Sequence, residues 1–289
     1  MISAPLQAAQ SAFSGTGELA RAAASARKLA AEHSPRPPQA GLVIDVGGGD
    51  APHPRADCVV DRYVADDFER AGETTLSLSR PLVVADGEAL PFGDKSIDYV
   101  IASHVLEHAK HPEWFADELT RVGRAGFVQV PSRAAELTFG WRFHPWLVDR
   151  AGDTLEFHPR DGQVAPVGAL FHEAIASSRL FGLWFASTRS LWHHSIHWSE
   201  SFSVKTYGES RADSTAELDI EQTIATLERL SGLELVQGPP PHVARALRCP
   251  EDRGALTANG NDRLGCADCN RSYPVAGGVP VLLLEASDV

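Results

Sequence analysis

Short apolar runs recur along the middle of the chain and alternate with longer mixed segments. The runs are rich in β-branched residues and end at an acid, a glycine or a proline: Leu42–Val46, Cys58–Val60, Leu82–Ala85, Ile97–Ala102 and Phe127–Val130. Runs that are apolar at every position suit strands buried on both faces of a parallel sheet. A helical pattern over about His104–Val122 lies between the last two runs. This alternation predicts an α/β fold with a doubly wound, mostly parallel sheet.

The segments on either side of this core differ from it in amino-acid composition. Residues 1–40 are rich in alanine and end in several prolines, which predicts N-terminal helices. Residues 41–238 form the main predicted domain, and its tryptophan- and histidine-rich stretch, about 139–200, is interpreted as an insertion on the substrate side. Pro239–Pro241 predict a stiff linker before a short, turn-rich unit over residues 242–289.

Composition narrows the functional classes. The net charge of −12 predicts an acidic surface that repels phosphate backbones, which disfavours a nucleic-acid partner. No apolar stretch is long enough to predict a membrane span, and the N-terminus lacks the features of a signal peptide. Three of the four cysteines cluster near the end of the chain at metal-like spacing, which fits a reducing, cytoplasmic compartment. The oligomeric state does not follow from these patterns.

A glycine-rich turn follows the first apolar run, in the segment V-I-D-V-G-G-G-D-A. Asp45 closes the strand, and Gly47 and Gly49 follow it. Glycines there let the backbone approach a ligand and adopt positive φ. The turn by itself fits a dinucleotide-binding enzyme or a plain turn equally well.

Two further acids close the next strands. Asp61 ends the second run, where a carboxylate can accept hydrogen bonds from ribose hydroxyls. Asp86 ends the third run in A-D-G-E-A-L-P-F, where a carboxylate can bind an exocyclic amine. Acids at strand ends also cap turns, but their order along the chain favours a ligand site.

The segments D-V-G-G-G, A-D-G-E-A-L-P-F and I-A-S-H-V-L-E-H resemble the class I S-adenosylmethionine-dependent methyltransferases, over about Gly41–Ser132. They are most similar to the branch that acts on small molecules and glycans. The resemblance implies a Rossmann-like fold and S-adenosylmethionine as cofactor. It assigns the amino-acid end of the cofactor to Asp45, Gly47 and Gly49, the ribose to Asp61, the adenine to Asp86 and Gly87, and the methyl or acceptor end to His104.

The chain departs from that family in two places. Ala51 replaces the third glycine of the usual turn. Only about a dozen residues, including Pro52 and Pro54, separate the first two strands, so the first helix is predicted to be reduced to a turn. A pyrophosphate would require a helix N-terminus at this point, and the missing helix therefore argues against NAD more than against S-adenosylmethionine.

Histidines are the candidate general bases for a hydroxyl acceptor. His104 follows the fourth strand, and His144, in W-R-F-H-P-W, follows the fifth, where a substrate lid would attach. His108 fits a packing or capping role. His193, His194 and His197 fit an alternating strand or pocket wall, and their spacing also allows a metal cluster.

The tail carries one C-x-x-C knuckle, Cys266 and Cys269, and a second in which Asp252 stands where the partner of Cys249 would be. Together with the ending Y-P-V-A-G-G-V-P-V-L-L it resembles the zinc-ribbon activator proteins that partner methyltransferases. The resemblance implies a structural Zn²⁺ held by Cys249, Asp252, Cys266 and Cys269. A tail that has lost its metal and is held by apolar residues is the alternative.

The sequence thus predicts an enzyme that transfers a methyl group from S-adenosylmethionine to a hydroxyl or other nucleophile of a small molecule or glycan. Methylation of RNA or protein is the first alternative, prompted by the activator-like tail. The negative net charge of the chain disfavours an RNA acceptor. In addition, the segment after the fourth strand is S-H-V-L-E-H, whereas enzymes that methylate the amino groups of bases have an N-P-P-Y-type motif there. A non-catalytic cofactor-binding scaffold is the second alternative.

Overall fold

The computed structural model describes residues 24, 27–29, 31–49, 51–64, 79–141, 143–160, 167–210, 218–260 and 262–287. The N-terminal helices predicted over residues 1–40 lie largely outside these ranges. Among the described residues, none of the helices has the length and apolar character needed to cross a membrane.

The five apolar runs form five parallel strands, as predicted. They are β1 (Val43–Val46), β2 (Cys58–Asp61), β3 (Leu82–Ala85), β4 (Tyr99–Ser103) and β5 (Ala125–Pro131). Every residue of β1, β2 and β3 is buried, which is why these segments are apolar throughout rather than alternating. Their spatial order is β3-β2-β1-β4-β5, so the sheet is wound in both directions from β1 and β4. The predicted doubly wound α/β fold is confirmed.

Helices cover both faces of this sheet. The helix after β4 is α1 (Pro112–Val122), preceded by a 3₁₀ turn at Leu106–His108. Its apolar stripe packs in one core cluster with Val83 of β3. The next residue, Val84, points to the opposite face, where it packs with Leu227 from a helix nearer the C-terminus. Successive strand residues thus anchor helices on opposite sides.

The connection from β1 to β2 is short, as the prolines predict. The described residues between these strands, 47–49 and 51–57, form turns and bends and contain no helix. The turn region is held by backbone hydrogen bonds, among them one from Gly47 N–H to Val60 O at 2.8 Å. The predicted loss of the first helix is confirmed for these residues.

The region after β5 builds an aromatic flank and a small second sheet. Its elements are α2 (Arg133–Phe139), β6 (Trp146–Ala151), β7 (Thr154–Pro159), α3 (Gly168–Ser177), α4 (Arg179–Ser187), α5 (Arg189–Trp192), β8 (His193–Ser199), β9 (Ser203–Thr206) and α6 (Ile220–Gly232). The strands β6, β7 and β9 pair in a sheet of their own, whereas β8 pairs antiparallel with β5. The histidine-rich run is therefore a strand, with His193 and His197 on one face and His194 on the other.

The tail joins the main sheet instead of standing apart from it. After α7 (Pro241–Ala244) come β10 (Leu256–Ala258), β11 (Arg263–Cys266), β12 (Ser272–Ala276) and β13 (Val279–Leu282), paired antiparallel in sequence order. β13 also pairs in parallel with β3, with Val281 opposite Val84 and Leu282 opposite Ala85. Although Pro239–Pro241 precede the tail, its last strand thus completes the sheet of the main domain. The exact domain boundaries stay a prediction.

Candidate functional site

One cavity opens at the carboxyl ends of the parallel strands. Its volume is about 940 Å³, and its lining comes from the ends of β1, β2, β3 and β4 together with the loops that follow them. All seven residues predicted to bind cofactor line it: Asp45, Gly47, Gly49, Asp61, Asp86, Gly87 and His104. Ligands of open α/β sheets bind at this edge, where the strand order reverses.

The glycine turn forms the floor of the cavity. Gly47 has φ +71° and Gly49 has φ +50°, both in the left-handed region. A Cβ on Gly47 would also lie 2.5 Å from the side chain of Val105, so glycine is required there for space as well as for conformation. The turn therefore brings its backbone close to the cavity.

Asp45 is almost fully buried beside this turn. Its Oδ2 accepts a hydrogen bond from the backbone N–H of His53 at 2.7 Å. Burial raises the pKa of the Asp45 carboxyl to about 6, against the lowering effect of the His53 hydrogen bond, and the nearby Asp61 carboxylate raises it further. A cationic group placed here would restore the charged form of Asp45.

The two other predicted acids lie at the carboxyl ends of β2 and β3 and line the same cavity. Asp61 is buried and accepts a hydrogen bond from Tyr63 N–H at 3.0 Å. The Oδ1 atom of Asp86 accepts one from Glu88 N–H at 2.8 Å, and its Oδ2 atom pairs with the guanidinium of Arg62. Asp86 is thus already engaged by protein groups on both oxygens.

Gly87 lies next to Asp86 and faces the ring of Phe115 from α1. A Cβ at this position would overlap that ring. The absence of a side chain therefore lets α1 approach the end of β3 and close one wall of the cavity, which Phe115 also lines.

His104 stands at the end of β4 with φ +56°, a conformation that is costly for most residues with a side chain. Its Nε2 lies 3.1 Å from Gln129 Oε1, and its Nδ1 lies 3.4 Å from Glu107 Oε1. Burial lowers the pKa of the imidazole, but the adjacent Glu107 carboxylate outweighs this effect, and the net direction is upward. The ring therefore lines the cavity and is fixed on two sides.

The structure does not bring His144 into the cavity lining. His144 is buried behind His108, with the two rings 4.6 Å apart and edge to face. Its Nδ1 lies 2.5 Å from Oε1 of the fully buried Glu136, whose Oε2 accepts a hydrogen bond from Arg160 at 3.2 Å. Burial lowers the pKa of His144 to about 4 and raises that of Glu136 to about 8.

The tail residues predicted to bind metal do come together. The ligand atoms of Cys249, Asp252, Cys266 and Cys269 lie within 4.8 Å of one another. Cys249 Sγ is 3.6 Å from Cys269 Sγ, and Cys266 Sγ is 3.4 Å from Asp252 Oδ1. Thiolates bound tetrahedrally at about 2.3 Å from Zn²⁺ lie about 3.8 Å apart, so the spacing fits such an ion. If bound, Zn²⁺ would supply a structural crosslink between the two knuckles.

Arg62, Leu218 and Glu285 are among the cavity residues that the sequence did not predict. Arg62 directly follows Asp61, so its position next to the acid predicted to bind ribose could have identified it from the sequence. Leu218 and Glu285 also line the cavity, but they are remote in sequence. No local pattern distinguishes them, since only the return of the chain to the sheet brings them there.

Comparisons with known proteins agree with this arrangement. Residues 45–127 match the family model described as a methyltransferase domain. An uncharacterized methyltransferase of Mycolicibacterium vanbaalenii is 36% identical over 101 residues, which are 32% of this chain and 40% of that protein. One from Mycobacterium tuberculosis is 34% identical over 110 residues, which are 35% of this chain and 42% of that protein. The chain thus matches less than half the length of these curated relatives.

Two solved structures align with part of this chain. A Mesorhizobium loti S-adenosylmethionine-dependent methyltransferase aligns over 47% of this chain and 63% of its own, with 17% identity and a TM-score of 0.28. A complex between the Haloferax volcanii Trm112 methyltransferase activator and a candidate methyltransferase aligns over 63% of this chain and 92% of that one, with 15% identity and a TM-score of 0.33.

The doubly wound sheet is the Rossmann-like α/β fold of methyltransferases, and residues 45–127 of the chain match a methyltransferase domain. In this chain that domain carries a C-terminal extension whose final strand, β13, is part of the same sheet.

Proposed function

We propose that the whole chain is an enzyme that transfers the methyl group of S-adenosylmethionine to a small molecule or glycan. One observation carries the proposal: the seven residues selected from separate sequence segments line a single cavity of about 940 Å³. A cavity of that size accommodates a nucleoside cofactor together with part of an acceptor.

The cavity residues have distinct roles in this proposal. The backbone of Gly47 and Gly49 and the carboxylate of Asp45 hold the amino-acid end of the cofactor, because a buried carboxylate matches its ammonium group. Asp61 holds the ribose hydroxyls. Asp86 holds the adenine amine, which then shares the carboxylate with Arg62. S-adenosylmethionine supplies an electrophilic methyl group on a sulfonium.

His104 is proposed to contact the acceptor. It lies directly after β4, on the other side of β1 from the strands β2 and β3, whose carboxyl ends carry Asp61 and Asp86. Its contacts with Gln129 and Glu107 fix the ring, and alignment of the acceptor with the methyl group supplies much of the rate in a displacement of this kind. His144 serves this site indirectly, since it contacts the cavity-lining His108.

Charge favours a small or neutral acceptor over a nucleic acid. Among the described residues, five carboxyl side chains line the cavity: Asp45, Asp61, Asp86, Glu88 and Glu285. Arg62 and Lys110 are the cationic side chains among those described lining residues. Such a cavity attracts the cationic cofactor and repels a polyphosphate chain.

The tail is proposed to act as a built-in activator. β13 covers the edge of β3, and Glu285, shortly after it, reaches the cavity. A Zn²⁺ ion bound by Cys249, Asp252, Cys266 and Cys269 would fix the hairpins that precede β13. The tail therefore supports the cofactor site from within the same chain.

Calorimetry with S-adenosylmethionine, S-adenosylhomocysteine and NAD tests the cofactor assignment. Micromolar binding of the first two and none of NAD is expected, and Asp61→Ala should weaken binding by about 1–3 kcal/mol through lost hydrogen bonds. Asp117→Ala, on the exposed face of α1, is the matched control. Binding of NAD alone would refute the proposal.

Labelled cofactor and host extracts then identify the acceptor by mass spectrometry. Transfer to a small molecule or glycan is the expected result. Transfer only to RNA or protein would refute the acceptor class, and cofactor binding without any transfer would point to a scaffold.

A further inference from the structure

A second cluster of metal-ligand side chains lies behind the cavity wall, at the end of β4. It consists of Glu107, His108 and His144, whose ligand atoms lie within 4.8 Å of one another. The sequence brings Glu107 and His108 together in the 3₁₀ turn, and the fold adds His144 from the segment after α2. Of the three, His108 lines the cofactor cavity.

The burial of the Glu107 carboxylate is not explained by its hydrogen bonds. Its side chain is fully buried, and neither carboxylate oxygen has a hydrogen-bond partner among the described residues. His104 Nδ1 lies 3.4 Å from one oxygen, beyond good hydrogen-bond length. The carboxylate thus faces one imidazole but has no hydrogen bond within the described part of the chain, and metal coordination is an established way to hold a buried carboxylate.

His144 has the second contact expected of a metal ligand. Histidine ligands usually donate their other ring N–H to a carboxylate, which fixes the ring and its tautomer. Here Nδ1 of His144 lies 2.5 Å from Glu136, which Arg160 holds from the other side. This leaves Nε2 for an ion.

The spacing is compatible with a shared ion. Three atoms at the 4.8 Å limit would each lie about 2.8 Å from their centre. Movement of each side chain by about 0.7 Å therefore reaches the bond lengths of about 2.0–2.2 Å seen for zinc with histidine and carboxylate.

We propose that Glu107, His108 and His144 bind one divalent transition-metal ion. Two imidazoles and one carboxylate favour Zn²⁺ among the common ions and leave a coordination position open. The ion is distinct from any ion bound by the tail cysteines, and its binding does not depend on the proposed methyl transfer. Because His108 lines the cavity, the ion fixes part of the wall next to His104.

Cobalt substitution in the full-length protein separates the two sites. Metal-free protein is titrated with Co²⁺ alone and followed by visible absorption. Co²⁺ on the tail cysteines gives a thiolate charge-transfer band, whereas Co²⁺ on nitrogen and oxygen ligands gives only ligand-field bands. We expect one equivalent of the second kind in the wild-type protein.

Substitutions test the assignment of that signal. Glu107→Gln should weaken this binding at least tenfold, and Glu136→Gln should weaken it about 10–100-fold as a supporting residue. Glu118→Gln, which changes another largely buried carboxyl group, in α1, should bind like the wild type. A wild-type spectrum of thiolate type only, or the same nitrogen and oxygen signal in Glu107→Gln, would overturn the proposal.

Thermal melting controls for folding. In metal-free buffer Glu107→Gln should melt no lower than the wild type, because it removes a buried carboxylate whose oxygens accept no hydrogen bond among the described residues. Zn²⁺ should raise the melting temperature of the wild type more than that of the variant, because the variant lacks this site. If Glu107→Gln does not fold, His108→Gln replaces it, and retention of the second cobalt equivalent there would equally overturn the proposal.

Discussion

The guanidinium of Arg62, just after β2, donates a hydrogen bond to Glu285 in the tail at 2.8 Å, across 223 positions of sequence. The same guanidinium pairs with Asp86. Both acids and Arg62 line the cavity at the carboxyl ends of the strands. The tail is thus linked through one side chain to a residue proposed to bind adenine.

Glu285→Gln should weaken binding of S-adenosylmethionine by no more than about fivefold. The pair is half-exposed, and such pairs contribute about 0.2–1 kcal/mol. Calorimetry measures the change. Glu251→Gln, which removes an acid that pairs with Arg271 inside the tail, should leave cofactor affinity unchanged. An equal effect of the two variants would show that the Arg62 contact has no special role.

Affinity for S-adenosylmethionine should fall as the pH drops through about 6. The pKa of Asp45 is raised by burial to about 6, and only the ionised form pairs with the ammonium group of the cofactor. Calorimetry at pH 5 and at pH 7.5 tests this, with Asp45→Asn as the comparison. The variant should bind weakly and nearly equally at both values. A wild-type affinity that does not change with pH would contradict the assignment of Asp45.

The same carboxyl should make the cofactor-free protein less stable as the pH rises. Its pKa is about 6 when folded and about 3.9 when unfolded, so its stabilising effect is complete below pH 4 and is lost through pH 6. At pH 7.5 Asp45→Asn should therefore raise the free energy of unfolding, by up to about 3 kcal/mol. Urea denaturation of both proteins at pH 7.5 and pH 5 measures the gain, which should shrink at the lower pH.

His104→Asn should lower turnover about 10²–10⁴-fold if the histidine takes the acceptor proton. Asparagine is chosen because it tolerates the left-handed backbone at φ +56° better than alanine does. Cofactor affinity should change much less than turnover, and single-turnover kinetics with calorimetry separates the two. His158→Asn, in β7 and outside the cavity lining, is the control. Full activity of His104→Asn would place the base elsewhere.

Leu282→Ala should lower the free energy of unfolding of the whole chain by about 2–5 kcal/mol. Leu282 is fully buried in β13, next to Ala85 of β3. Leu284→Ala, two positions on and 36% exposed, should change stability by only about 0.5 kcal/mol. Denaturant unfolding should show one transition in each protein, and a separate early transition for the tail would contradict the joint sheet.

Cys266→Ser should remove about one equivalent of zinc, while Cys58→Ala, in the core at β2, should retain it. Elemental analysis of the purified proteins gives the answer. Because β13 lies in the main sheet, chelation should lower the melting temperature of the entire protein instead of releasing the tail alone. Equal zinc content in both variants would show that the tail is held by its apolar residues.

The sequence by itself determined the central sheet and identified seven residues that line the cavity. Strands buried on both faces need apolar residues at every position, so β1 to β5 are visible as short runs. The turn after β1 needs glycine for positive φ, and the three acids lie in the last two residues of β1 and β2 or directly after β3. Each of these requirements acts within a few residues of the chain, so each is visible as a short pattern in the sequence.

Tertiary structure alone decided the position of the tail and the surroundings of the histidines. Pairing of β13 with β3 depends on an edge that is 190 or more residues away, and a proline-rich linker carries no sign of it. His144 and Glu107 are ordinary polar residues in the sequence. They become a buried cluster only because the segment after α2 packs behind the end of β4, and burial is a property of the packed chain that no single segment contains.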